Sequence, residues 1–148
     1  MKILKKLLCL TPILFISGCD QFTQQTYIAD DIVIEVDRDY KEVSDYELAW
    51  ESMFDVSSNS YYVYFYSMTC NHCAELKNYI IEKALETKNI YFVKGSSKDQ
   101  ITTDPNMTKN AENPGDIWIL GYPSLLQITN YKCIKNLAGI IKIKAELK

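Results

Sequence analysis

The chain has 148 residues, 47% of them hydrophobic and 24% charged, with a formal net charge of −3. That length suits one domain whose core does not depend on disulfides, and the acidic balance excludes a nucleic-acid surface built on a basic patch. The composition is ordinary for a globular chain, apart from 11 tyrosines and 5 cysteines, the latter at positions 9, 19, 70, 73 and 133.

Lys2, Lys5 and Lys6 flank the start of an apolar run from Leu7 to Ile16, closed by Ser17-Gly18-Cys19. A basic start, a brief apolar stretch and small residues predict a secretory signal peptide over residues 1–18. The run is too short for a membrane span, which needs about 20 apolar residues. Ile16-Ser-Gly-Cys19 resembles a bacterial lipobox, with Ile16 where Leu is commoner. The resemblance implies that Cys19 is lipidated and becomes the new N-terminus. A plain secreted protein cut nearby, or an uncleaved anchor, is the alternative.

Cleavage there removes Cys9 and three lysines but no acid, taking the formal charge from −3 to −6. It also places the mature chain in an oxidising compartment where disulfides persist. The expected location is therefore the extracytoplasmic face of a bacterial cell membrane, with the lipid on Cys19 as anchor. Asp20 resembles an inner-membrane retention signal of Gram-negative lipoproteins, although the sequence does not identify the envelope type. Residues 19–30 are polar and read as a tether, leaving 31–148 as the folded domain.

Ile32-Val-Ile-Glu-Val36 predicts a first strand from its β-branched content. Ser44 and Glu47 form a capping-box pattern for a helix from Asp45 to about Val56, with Leu48, Trp50, Met53 and Phe54 on its apolar side. Ser57–Ser60 is a turn, and Tyr61–Tyr66 reads as a central strand. Leu76, Tyr79, Ile80, Ala84 and Leu85 recur at helical spacing, predicting a helix from Cys73 to about Thr87. Ile90–Val93 is the next strand, and a helix of this length between two strands makes them parallel. Residues 94–116 read as a solvated connector, with a helical turn near Met107–Ala111. A strand follows Pro123 to Ile128, then a turn at Asn130–Lys132, a return strand at Cys133–Lys135, a break at Gly139 and a closing helix from Ile140 to Lys148. No internal repeat or second domain is visible.

Chemistry concentrates at Cys70-Asn-His-Cys73. Strand, short loop, then Cys-x-x-Cys at a helix start is how a redox dithiol is presented, because unpaired N–H groups and the helix dipole there favour a thiolate. Zinc would need Cys133 and His72 as further ligands, and no second Cys-x-x-Cys or His pair supplies the usual spacing. Ala74, where a c-type haem motif needs His, excludes that motif. No metal and no cofactor are expected. Cys133 reads as a small buried apolar residue.

Two motifs, Phe65-Tyr-Ser-Met-Thr-Cys-Asn-His-Cys73 and Gly121-Tyr-Pro-Ser-Leu125, together with the element order, resemble the thioredoxin fold from about Ile32 to the C-terminus. The resemblance implies an α/β architecture, three layers α/β/α around a central mixed sheet. It implies that Cys70 attacks a substrate disulfide and that Cys73 resolves the mixed disulfide. It also implies that Pro123 is a cis-proline and that Tyr122 and Pro123 touch an extended substrate segment. His72 stands where oxidising members of the DsbA type carry histidine, and a hydrogen bond or positive charge near Cys70 would stabilise its thiolate. Asn71 departs from the Pro or Gly of many members. Tyr64 departs from the buried Asp of cytosolic members, so their proton relay is not implied. The DsbA type's helical insertion has no counterpart in a chain this short.

These residues lead to a membrane-anchored thiol–disulfide oxidoreductase acting on protein thiols or disulfides of the cell envelope, with an unidentified redox partner. The alternative is an accessory or binding lipoprotein of the same fold whose cysteine pair is not catalytic. A disulfide spanning two intervening residues closes little chain and stabilises little, which favours redox work. The direction of electron flow stays open, with His72 pointing to an oxidising couple.

Overall fold

The computed structural model describes residues 36–148. The signal peptide, Cys19, the tether and most of the first expected strand lie outside the described residues. Val36, the last residue of that strand, is exposed and belongs to no element. No helix among the described residues is long and apolar enough to cross a membrane.

A four-stranded sheet organises the domain, in the order β2 (Ile90–Lys94), β1 (Ser60–Tyr66), β3 (Ser124–Thr129), β4 (Lys132–Ala138). β1 runs parallel to β2, as expected for two strands joined by helix α1 (Asn71–Thr87), and antiparallel to β3. β3 and β4 form a hairpin whose turn residues Asn130 and Tyr131 both have positive φ, 50° and 62°, as a tight turn matching strand twist requires. The closing helix α2 spans Ile140–Glu146. Gly139, at φ 88°, lets the chain leave β4 and enter it.

Side chains alternate along β1 and split the core in two. Tyr62, Tyr64 and Tyr66 pack on one face with Leu76, Ile80, Ile81 and Ala84 of α1 and Ile143 of α2. Tyr61, Val63 and Phe65 pack on the other with Met53, Ile117, Ile119, Leu126, Ile128 and Cys133. Burying each large aliphatic side chain on such a face contributes about 1.5–3 kcal/mol.

Two local expectations are corrected. The helix expected over Asp45–Val56 is absent. Two 3-10 segments, Tyr40–Tyr46 and Trp50–Ser52, stand around it. The effective cap is Asp39, which accepts the Lys41 N–H at 2.9 Å while Glu42 accepts the Asp39 N–H at 2.9 Å. Glu47 is then extended, and the Leu48 N–H donates to the Phe92 carbonyl on β2 at 2.7 Å. A backbone committed to that sheet edge cannot propagate a helix.

The helical turn expected at Met107–Ala111 is a run of irregular turns instead. Asn110 sits at φ 66° and donates its N–H to Cys133, while Ala111 accepts the Cys133 N–H. The only helical piece in this connector is the 3-10 segment Pro114–Asp116. The 94–119 segment, with its 3-10 piece Pro114–Asp116, and the Trp50–Ser52 turn form the layer over the second face, while Tyr40–Tyr46 packs on the first. Both α-helices lie on the first.

Candidate active site

β1 ends at Tyr66, and Ser67–Thr69 turn the chain. The Cys70 N–H donates to the Ser67 carbonyl at 3.2 Å. Cys70 is the N-cap of α1, extended at φ −92°, ψ 115°. The helix therefore begins at Asn71, two residues before the expected Cys73. The Cys70 sulfur accepts the Cys73 N–H at 3.2 Å, filling one donor a helix start leaves free. On its other side the thiol donates to the Tyr122 carbonyl at 3.4 Å. Both cysteines are free thiols; Cys70 is half-buried, and Cys73 only 1% exposed.

That difference divides their chemistry. An incoming sulfur can reach Cys70. Cys73 lies behind it, and burial, then its contact with Cys70, push its thiol up to about 12. Buried in this setting, it stays protonated at neutral pH.

Pro123 follows a cis peptide and precedes β3. Of the six site residues named from the sequence, Cys19 lies outside the described residues, and four, Cys70, Cys73, Tyr122 and Pro123, are brought together across 52 residues of chain by the Cys70–Tyr122 contact. His72 is placed differently. It is exposed on the first turn of α1 and lines an open cleft of about 480 Å³ with Glu75, Gly139, Ile140 and Lys142. Among the described residues no hydrogen bond joins its imidazole to the Cys70 sulfur. Cys133 lies in the opposite core from Cys73, across the sheet, so the two cannot share a metal.

Three residues escaped sequence reasoning. The Tyr122 hydroxyl donates to the Asp99 carboxylate, and burial followed by that carboxylate raises the phenol above its usual range. Gly95 lies beneath the Tyr122 ring, where an added Cβ would sit 2.5 Å from Cζ. Tyr40 belongs to the cluster around Cys73. The Gly95 N–H also donates to Tyr66 at the end of β1, so the start of the long connector is fastened to the site. Glycine next to a polar stretch was the only signal available.

No protein-family model matches the sequence, and no curated protein matches it. Solved structures do. Mitochondrial thioredoxin 3 from Saccharomyces cerevisiae, in its oxidized form, is 12% identical, with a TM-score of 0.49 over 72% of this chain and 95% of its own. Thioredoxin f2 from Chlamydomonas reinhardtii is 13% identical, with a TM-score of 0.43 over 68% and 90%. A Nicotiana alata thioredoxin is 20% identical, with a TM-score of 0.42 over 68% and 87%. With β2-β1-β3-β4 strand order, Cys-x-x-Cys at the start of α1 and Gly-Tyr-Pro ahead of β3, the domain is thioredoxin-like in fold.

Proposed function

We propose that this chain is a protein thiol–disulfide oxidoreductase. The observation that carries the reading is the setting of the Cys70 sulfur. It is half-exposed, held by the Cys73 N–H at 3.2 Å and the Tyr122 carbonyl at 3.4 Å, with a buried second thiol behind it.

Cys70 attacks one sulfur of a substrate disulfide, and the other leaves as a thiolate. Cys73 then attacks Cys70, closing the Cys70–Cys73 disulfide and releasing the substrate dithiol. Run backwards, the same steps oxidise a substrate dithiol. Tyr122 and Pro123 supply the surface along which the substrate segment lies, and displacement of the Cys70–Tyr122 contact frees that carbonyl for it. His72, on the exposed rim, meets the substrate or sets the potential from there.

The test is turnover. The protein should accelerate insulin reduction by dithiothreitol, or oxidise a reduced model substrate, and Cys70→Ser should fall to background. A wild-type protein inert in both directions leaves only the accessory-module reading.

We also propose that the domain works outside the cytoplasm, tethered to the membrane by a lipid on Cys19. The sequence pattern from Lys2 to Cys19 supports it. Metabolic labelling with a fatty acid should mark the wild type and not Cys19→Ala. An unlabelled wild type refutes the anchor.

A further inference from the structure

The helix-covered core holds a feature with no structural use. The hydroxyls of Tyr40 and Tyr64 are both buried, and neither has a hydrogen-bond partner among the described residues. A buried hydroxyl without a partner is destabilising, and phenylalanine would fill the same space without it. Their surroundings show what they face. Tyr64 points from β1 toward α1, in one cluster with Cys73 and Tyr40. Its hydroxyl lies against the Cys73 sulfur and the Tyr40 hydroxyl, without completing a hydrogen bond to either.

The ring positions are fixed by packing. Tyr40 stacks on Tyr66 with centroids 3.9 Å apart, and Tyr64 lies parallel to Tyr66 at 6.2 Å. Phe92 meets all three edge-on. A cavity of about 190 Å³ opens beside Tyr40, lined by it and Cys73 together with Asp39, Met68 and Lys77. It is roomy enough for water.

We propose that the Tyr64 hydroxyl, backed by Tyr40, is the hydrogen-bond donor that receives the Cys73 sulfur while it is an anion. This deepens the oxidoreductase reading above and rests on it. In the mixed disulfide, Cys73 gives its proton to water in the cavity. The resulting thiolate attacks the Cys70 sulfur, forming the Cys70–Cys73 bond and breaking the bond from Cys70 to the substrate. The substrate sulfur leaves with the electron pair and takes a proton from solvent. In the opposite direction Cys73 is the leaving thiolate and recovers its proton by the same route.

In both directions a negative charge forms for a moment in an apolar core, where a preorganised donor is worth most. Burial holds both phenols well above their usual range, so each acts as a neutral donor throughout. The other titratable groups around Cys73 are Cys70 at its own helix start, Tyr122 on the loop before β3, and Asp39 and Lys77 at the cavity.

The experiment loads Cys70 with thionitrobenzoate in a Cys133→Ala background and follows the chromophore's release as Cys73 attacks, over a range of pH. A hydrogen bond to a charged group is lost in Tyr64→Phe, so release should slow about tenfold at every pH. The first attack of Cys70 on the reagent should be unchanged and the melting temperature no lower. Tyr40→Phe should slow release less. Because the probe needs no physiological substrate, its result is separate from the turnover test. Unchanged release in Tyr64→Phe overturns the role of Tyr64. An equal fall in both steps also overturns it, since general damage to the site would do that. If Tyr64→Phe is unstable, Tyr40→Phe decides: slower release with an unchanged first attack supports the donor pair, and no change refutes it.

Discussion

Cys73 and Cys133 have the same burial and opposite circumstances. Each is 1% exposed, and burial pushes each thiol up to about 12. Cys133 sits on the loop-covered face among Val63, Leu126 and Ile128, and its thiol donates to the Lys135 carbonyl at 3.4 Å. Cys73 sits on the helix-covered face with a second thiol, a phenol that no described residue bonds and a cavity beside it. The difference teaches that burial alone makes a thiol inert. On the proposed mechanism, burial next to a surface sulfur and a donor gives a thiol that reacts only when its neighbour has been attacked.

The largest way to break this comparison is to remove each sulfur. Cys73→Ala should abolish turnover and let mixed disulfides with Cys70 accumulate, whereas Cys133→Ala should leave turnover near that of wild type. Trapped partners on a denaturing non-reducing gel are the readout. Loss of activity in Cys133→Ala would end the distinction between the two faces.

Next come the two cores. Leu76→Ala under the dithiol and Ile119→Ala across the sheet each remove a fully buried aliphatic side chain and should cost about 2–5 kcal/mol by denaturant unfolding. Only Leu76→Ala should also slow thiol exchange under native conditions, because it lies one turn beyond Cys73 on α1.

A smaller effect tests how the connector is joined to the site. Gly95→Ala places a methyl group against the end of the Tyr122 ring. The ring must swing away from Asp99, costing about 1–3 kcal/mol and reducing turnover. Asp99→Asn should keep the fold while loosening Tyr122, seen as a change in exchange rate without a matching loss of melting temperature.

The smallest is a slope. Burial raises the Cys133 thiol from 9.0 to about 12 and the Tyr61 phenol from 10.0 to about 12. The unfolded chain therefore loses these protons first, so the stability they contribute is complete below about pH 9. It is lost as pH rises toward about 12. The denaturant midpoint should fall across that window, and Cys133→Ala should make the fall shallower.

Much of this was legible in the sequence. β1, α1, β2 and the β3–β4 hairpin follow from local periodicity and turn residues, and each is present near its expected bounds except β4, which starts at Lys132 and runs on to Ala138 rather than ending at Lys135. The dithiol and Tyr122-Pro123 were legible because their chemistry lies in short motifs. The Asp45–Val56 helix was misread because its local signals are real but lose to a single long-range bond from Leu48 to Phe92. Tyr40 and Asp99 were invisible for a related reason. Each matters through a partner 23 or more positions away, Asp99 through Tyr122 and Tyr40 through Tyr64.

The two misread segments have a consequence of their own. A sheet ends in strands with unpaired backbone groups, which invite intermolecular pairing and aggregation. Here Leu48 takes the Phe92 carbonyl on β2, and Asn110 and Ala111 bond to Cys133 on β4. The register shift opposite Gln127–Ile128 leaves Ile134 and Lys135 both facing outward, so the outer strand is bent and charged. The stretches that failed to become helices serve as guards on the margins of the sheet. Straightening either one into a helix would expose an adhesive strand.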